Sequence, residues 1–246
     1  MILGNCEINK FKKFKFGKNI VNENNKYFYF YYISKKNTYY QLPKNYLCTL
    51  FIVKKNKNNQ ITINNSNVLI SNGCSINNIK NNKIYFKNSS THFILVGSKY
   101  NKKIRVKKTN YNNHYKVTKP WGYELWINGE NSKHVLKEIF IKKGFKTSLQ
   151  FHEIKSETNL LYSGQAKLVY KKNKKIKNLR VSKKDLASFK LSKYTIVNVK
   201  PYTLHRIIAL SNIKLFEVST NHLDDVIRVS DDANRQDGRI SSEHKK

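Results

Sequence analysis

The chain has 246 residues and a formal charge of +33, from 48 Lys and Arg against 15 Asp and Glu. No stretch reaches the ~18 apolar residues of a membrane span, and the start, MILGNCEINKFKKFKF, has no apolar core fit for a signal peptide, so no membrane partner is expected and the expected location is cytoplasmic. Only six of the 48 basic residues are Arg, the other enriched types (Asn, Ile, Tyr, Phe) belong with Lys to A- and T-rich codons, and no helix-turn-helix, zinc-finger or RNA-binding signature accompanies them, so nucleic acid is not the expected partner.

The first half reads as strands at 27–33, 47–53, 61–63, 67–70, 83–86 and 92–96. Its phrase VLISNGCSI, 68–76, has the form of a strand and turn with no ligand set. Cys6, Cys48 and Cys74 are odd in number and lack CxxC spacing, which predicts structural thiols in a reducing compartment. Residues 1–115 hold only two acids, Glu7 and Glu23, while the other 13 fall in 116–246. With the polar segment 102–115 as a linker, this places a boundary between domains 1–115 and 116–246.

In the second half the Pro120-Trp121-Gly122 turn, followed by Trp126, reads as a packing corner. Strands are predicted at 134–141, 147–152, 159–162, 166–170, 194–199, 206–210 and 214–219, and the Lys-rich stretch 171–184 reads as a solvated hairpin. Many short strands at this spacing argue for a sandwich or closed barrel. Gln150 and His152 lie two apart, so on a strand both leave the same face. Glu157 follows after a short bend, Gly164 closes the hairpin, and His205 arrives on a later strand after a Pro-containing turn. Together they offer one amide oxygen, two imidazoles and one carboxylate, a set suited to a divalent metal. His92, His114, His134, His222 and His244 read as ordinary core or surface residues. Asp224, Asp225, Asp231 and Asp232 read either as solvated charges or as an ion-pair network around Arg228.

Five residues separate Gly144 from Gln150, four separate His152 from Glu157, and six separate Glu157 from Gly164. This resembles the first motif of the cupin superfamily, with Gln150 in place of the first His. The Ser148-Leu149-Gln150 run, the 119–122 turn, the 201–206 turn and the 224–228 segment make it most similar to the cupin domain of type II mannose-6-phosphate isomerases, over roughly 117–240. The family's turn before its last His usually holds a Gly where this chain has Tyr202.

The resemblance implies an all-β fold, a cupin-type β-barrel (double-stranded β-helix), with 116–246 the metal-binding domain. Residues 1–115 would be a degenerate cupin without metal ligands, making a bicupin, or else an unrelated β-sandwich. It implies a metal held by Gln150, His152, Glu157 and His205, zinc first and manganese or iron as alternatives. Arg206 is the cation expected to meet a phosphate or an enediolate, and Lys155 or Glu153 the candidate base. The activity implied is interconversion of aldose and ketose phosphates through an enediol, for glycan precursor supply, with a small sugar phosphate as partner and a homodimer left open. The alternatives are an isomerase or epimerase acting on another carbohydrate or nucleotide sugar, and a non-catalytic carbohydrate-binding bicupin.

Overall fold

The structure, a computed structural model, describes the whole chain except residues 5, 12–16, 57–59, 81, 101–103, 129–132, 172–180, 245–246 and the side chain at 183. The start of the expected linker and most of the Lys-rich stretch 171–184 therefore lie outside the described residues. Among the described residues the chain is almost entirely β-strand, with three one-turn 3-10 helices. No helix among them is long and apolar enough to cross a membrane.

Two compact units form, one of residues 1–10, 116–126 and 136–246 and the other of 11–115 and 127–135. The units thus depart from the boundary expected at 115/116 in two places, residues 1–10 and 127–135. Strand Cys6–Lys10 pairs antiparallel with Thr195–Val199, from Cys6 opposite Val199 to Lys10 opposite Thr195. The reason lies in its alternation, which buries Cys6 and Ile8 beside Val197 and Val199. Cys6 therefore belongs to the unit carrying the metal motif, where burial pushes its thiol up to about 12. All three cysteines are buried and unpaired.

In the unit of 11–115 and 127–135, a six-stranded sheet runs in the order Lys107–Thr109, Ser75–Ile79, Tyr46–Lys54, His92–Lys99, Phe28–Ile33, Gly17–Glu23. A four-stranded sheet runs Thr38–Gln41, Lys83–Phe86, Gln60–Ile63, Ser66–Leu69. Their core is aromatic and aliphatic, with Phe86 stacked on Phe93 at 4.6 Å between centroids and Phe28 on Phe30 at 4.8 Å. Residues 127–135 join it through polar contacts: Asn77 Nδ2 and Ser75 Oγ donate to Ile127 O at 3.1 and 3.3 Å. His134 is fully buried between Ser98 Oγ, 2.8 Å away, and Thr49 Oγ1, 3.3 Å away.

In the other unit an eight-stranded sheet runs Ile2–Leu3, Cys6–Lys10, Thr195–Val199, Glu157–Ser163, Ile213–Thr220, His134–Ile141, Gly122–Trp126, Tyr115–Lys119. A five-stranded sheet runs Leu186–Leu191, Ala166–Lys171, His205–Ala209, Leu149–Phe151, Ile227–Ser230. Neighbours in both sheets are mostly distant in sequence, the jelly-roll arrangement of a cupin. An apolar core of Ile141, Leu161, Leu168, Val197, Ile207 and Leu215 draws on both sheets. The hairpin after Glu157 turns at Gly164, whose φ is +85°. A Cβ there would lie 2.4 Å from Asn212 O.

Two outcomes follow from these details. Gly164→Ala should destabilise the chain by about 2 kcal/mol, because both the left-handed backbone and the Asn212 carbonyl oppose a side chain; equilibrium denaturation checks this. Burial brings His134 down to about 4 from an ordinary 6.5. The unfolded chain therefore binds the extra proton between those pH values, and stability falls as pH drops from 6.5 through 4, by about 3 kcal/mol for this group. His134→Gln should flatten that slope in denaturation series at successive pH values.

Candidate metal centre

The two sheets bring the sequence-predicted ligands to one place. Gln150, on strand Leu149–Phe151, pairs directly with His205, the first residue of His205–Ala209, so their side chains leave the same face. His152 lies just past the end of its strand, and Glu157 opens the next one, between Val199 and Ser219. The turn before His205 is tied to this segment by Tyr202 N, which donates to His152 O at 2.6 Å. Tyr202 takes φ +59°, a left-handed conformation that costs a non-glycine residue about 1 kcal/mol. Its ring stays half exposed and lies against Phe151.

Side-chain donor atoms of His152, Glu157 and His205 all lie within 4.8 Å of one another, and all three residues are buried. His205 Nε2 is 3.1 Å from Glu157 Oε1, and His152 Nε2 is 3.4 Å from Glu157 Oε2. The outer nitrogens orient both rings. His205 Nδ1 donates to Thr203 O at 2.9 Å and His152 Nδ1 donates to Asp225 O. A carbonyl can only accept, so each Nδ1 carries a hydrogen, and each ring turns its Nε2 toward the carboxylate. His152 Nε2 is buried without a hydrogen-bond partner. Two imidazole nitrogens and a carboxylate converging on one point form a set of metal-ligating groups. The residues present therefore fit a divalent metal, with His152, Glu157 and His205 holding it and Gln150 lining the same cavity.

Lys155 reaches into the site, but not in the form a base needs. Its Nζ donates to Glu157 Oε2 at 2.7 Å and to Glu217 Oε1 at 2.9 Å. Burial would lower its pKa, yet the two carboxylates raise it above the ordinary Lys value, so it keeps its proton. Burial would likewise raise the Glu157 carboxyl, and the Lys155 ammonium holds it well below the usual range. Asn159 Nδ2 adds a further donor to Glu157 Oε1 at 3.1 Å. The other candidate base, Glu153, is exposed.

The bend that carries Lys155 is pinned by Asp225. Its carboxylate accepts from the backbone N–H groups of Glu153 at 2.9 Å, Ile154 at 2.7 Å and Lys155 at 2.7 Å. These donors outweigh its partial burial and lower its pKa. Asp225 thus serves the site twice, orienting His152 through its carbonyl and the bend through its side chain. Nothing local in a DD pair distinguishes this role from a solvated charge.

Arg206 is placed elsewhere than expected. It alternates with His205 along the strand and turns to the opposite face, where Nη2 donates to Ser230 O at 2.8 Å and lies 3.6 Å from Asp232. The cations that line the cavity are Lys119, Lys137, Lys155, Arg228, Arg235 and Arg239. Trp121 and Trp126 pack as a corner and line the cavity as well. Buried Glu124, which burial alone would raise, is brought down to about 2 by Lys137 and Lys119. The network around Arg228 exists with different partners: Arg235 pairs with Asp231 at 2.6 Å, Arg239 with Asp224 at 2.9 Å, and Arg228 donates to Gly238 O. Sequence reading missed Lys119, Glu124, Lys137 and Glu217 as cavity residues. Their only signal was alternation on strands whose neighbours are remote in sequence.

The fold recurs in proteins of very different sequence. An IolB-like protein from Salmonella typhimurium LT2 is 9% identical with a TM-score of 0.66, over 96% of this chain and 97% of that one. The Bacillus subtilis oxalate decarboxylase, which has Mn(II) centres, is 8% identical with a TM-score of 0.62, over 90% and 78%. A salicylate 1,2-dioxygenase from Pseudoaminobacter salicylatoxidans is 9% identical with a TM-score of 0.55, over 79% and 71%. At such identities the likeness is one of fold. No curated protein sequence matches this chain. The family model described as mannose-6-phosphate isomerase C-terminal matches residues 106–231, more than half of the chain and every residue of the candidate centre. By that match and by its jelly-roll fold, the chain belongs to the mannose-6-phosphate isomerase C-terminal family of the cupin superfamily.

Proposed function

We propose that the chain is a metal-dependent sugar-phosphate isomerase of the mannose-6-phosphate type. The observation that carries this reading is the pair of imidazole Nε2 atoms converging with a buried carboxylate, within a domain of that family. Zinc is the first choice, because two imidazoles, a carboxylate and an amide oxygen suit a borderline ion; manganese or iron would take the same donors. When bound, such an ion supplies Lewis acidity toward the C1 and C2 oxygens of a sugar.

The chain's own groups supply the rest. Lys155, protonated between Glu157 and Glu217, offers a proton donor to a sugar oxygen, and Glu217 a carboxylate on the cavity wall that can take part in moving a proton between carbons. Trp121 and Trp126 give the cavity apolar surface against which a sugar ring can pack. A metal-binding isomerase or epimerase of another carbohydrate is the second reading. It is favoured by the half-exposed Tyr202, which places an aromatic ring beside the metal-ligand turn.

Two measurements test this. Metal analysis after dialysis against zinc should find about one ion per chain, lost in His205→Ala, and roughly 10- to 100-fold weaker binding in Asp225→Ala, which frees the bend without removing a ligand. Purified, zinc-supplemented protein should interconvert mannose 6-phosphate and fructose 6-phosphate, with His205→Ala inactive. Absence of turnover in metal-loaded protein would reject the mannose-6-phosphate reading and favour the second.

A further inference from the structure

One carboxylate bridges two cations of the cavity. Lys119 Nζ contacts Glu243 Oε2 at 2.8 Å, and Arg235 Nη1 contacts Glu243 Oε1 at 3.3 Å. Both cations line the cavity that holds His205 and Glu157. The remaining carboxylates of the cluster have their own partners. Glu124 accepts from Lys137 Nζ at 2.9 Å and from Trp126 Nε1 at 3.0 Å. Asp231 accepts from Arg235 Nη2 at 2.6 Å and from Ser148 Oγ at 2.7 Å. Without Glu243, Lys119 would retain only Glu124, 3.9 Å away, while Arg235 would keep its hold on Asp231 and turn Nη1 outward to the next acceptor.

Glu243 sits on the one-turn 3-10 helix Ser241–His244, which has no buried residue. The contacts of that turn include Glu243 N–H to Ile240 O at 3.0 Å and the edge of the His244 ring against Trp126, with centroids 5.4 Å apart. The pair of donors it occupies, an ammonium and a guanidinium N–H aimed at one oxyanion, is the arrangement that binds a phosphate monoester.

We propose that Lys119 and Arg235 form the phosphate subsite of this cavity and that Glu243 is a built-in competing anion, which must release them before a phosphorylated ligand binds. The proposal deepens the sugar-phosphate reading and rests on it for the identity of the ligand. Its test needs no turnover, so the two can fail separately.

Titration calorimetry of the full chain with inorganic phosphate, at constant ionic strength, reads the subsite directly. Glu243→Gln should bind phosphate about tenfold tighter than the unmodified chain, a gain of about 1.4 kcal/mol. Adding Lys119→Met to that variant should abolish the gain. Glu23→Gln removes the same charge from an exposed position in the other unit and should leave binding unchanged. Equal affinity in folded Glu243→Gln and the unmodified chain would overturn the proposal. So would an equal gain in Glu23→Gln, since bulk charge would then be the cause. Should Glu243→Gln fail to fold, Glu243→Asp, with its shorter reach, should give a partial gain and Lys119→Met alone a loss; phosphate binding indifferent to both would equally reject the subsite.

Discussion

A carboxylate almost wholly removed from water, that of Glu157, is the constraint around which this domain is arranged. Burying an unpaired charge of this kind costs several kcal/mol, so the fold must surround it with compensating groups. Lys155 and Asn159 donate to its two oxygens, and the two imidazoles bring their Nε2 atoms within 3.1 and 3.4 Å. Thr203 and Asp225 fix both rings through backbone carbonyls, so that Nε2 of each faces the carboxylate. The same groups that surround the buried charge are therefore arranged as a set that could hold a divalent ion.

Strand register converts this local demand into a site. Gln150 opposite His205, and Glu157 between Val199 and Ser219, fix which face each side chain takes. The same period of two carries Arg206 away from the cavity while keeping His205 in it. A displacement of one residue along His205–Ala209 would exchange them, so the positions of His205 and of the excluded Arg have one cause.

Which features were legible before the structure follows from how far apart the interacting residues are. Gln150, His152 and Glu157 could be read because a two-residue spacing and one short bend bring them together, and His205 because a recognisable turn precedes it. The aromatic strand around 28–33 and the alternation of 134–141 likewise announced themselves. The protonated state of Lys155 could not be read, because it depends on Glu217, 62 residues away. Asp225 reaches back more than 70 positions to pin the bend, and Lys119 meets Glu243 across 124. Cys6–Lys10 joins the second unit by pairing with a strand nearly the whole chain away, which no local pattern encodes.

The uneven distribution of acids acquires a physical meaning from the same contacts. Thirteen of the 15 carboxylates fall after residue 115. Several of them form ion pairs with cations that line the cavity: Glu124 with Lys137, Glu217 with Lys155, Asp231 with Arg235, Asp224 with Arg239. A chain of charge +33 attracts anions to its whole surface, and that attraction selects nothing. Selectivity requires that cavity cations be oriented and largely neutralised, so that an arriving anion gains only where a donor can be released to it. The acids of the second half perform that neutralisation. What first marked a domain boundary is, in the folded chain, the means by which an indiscriminately basic protein can hold a discriminating site.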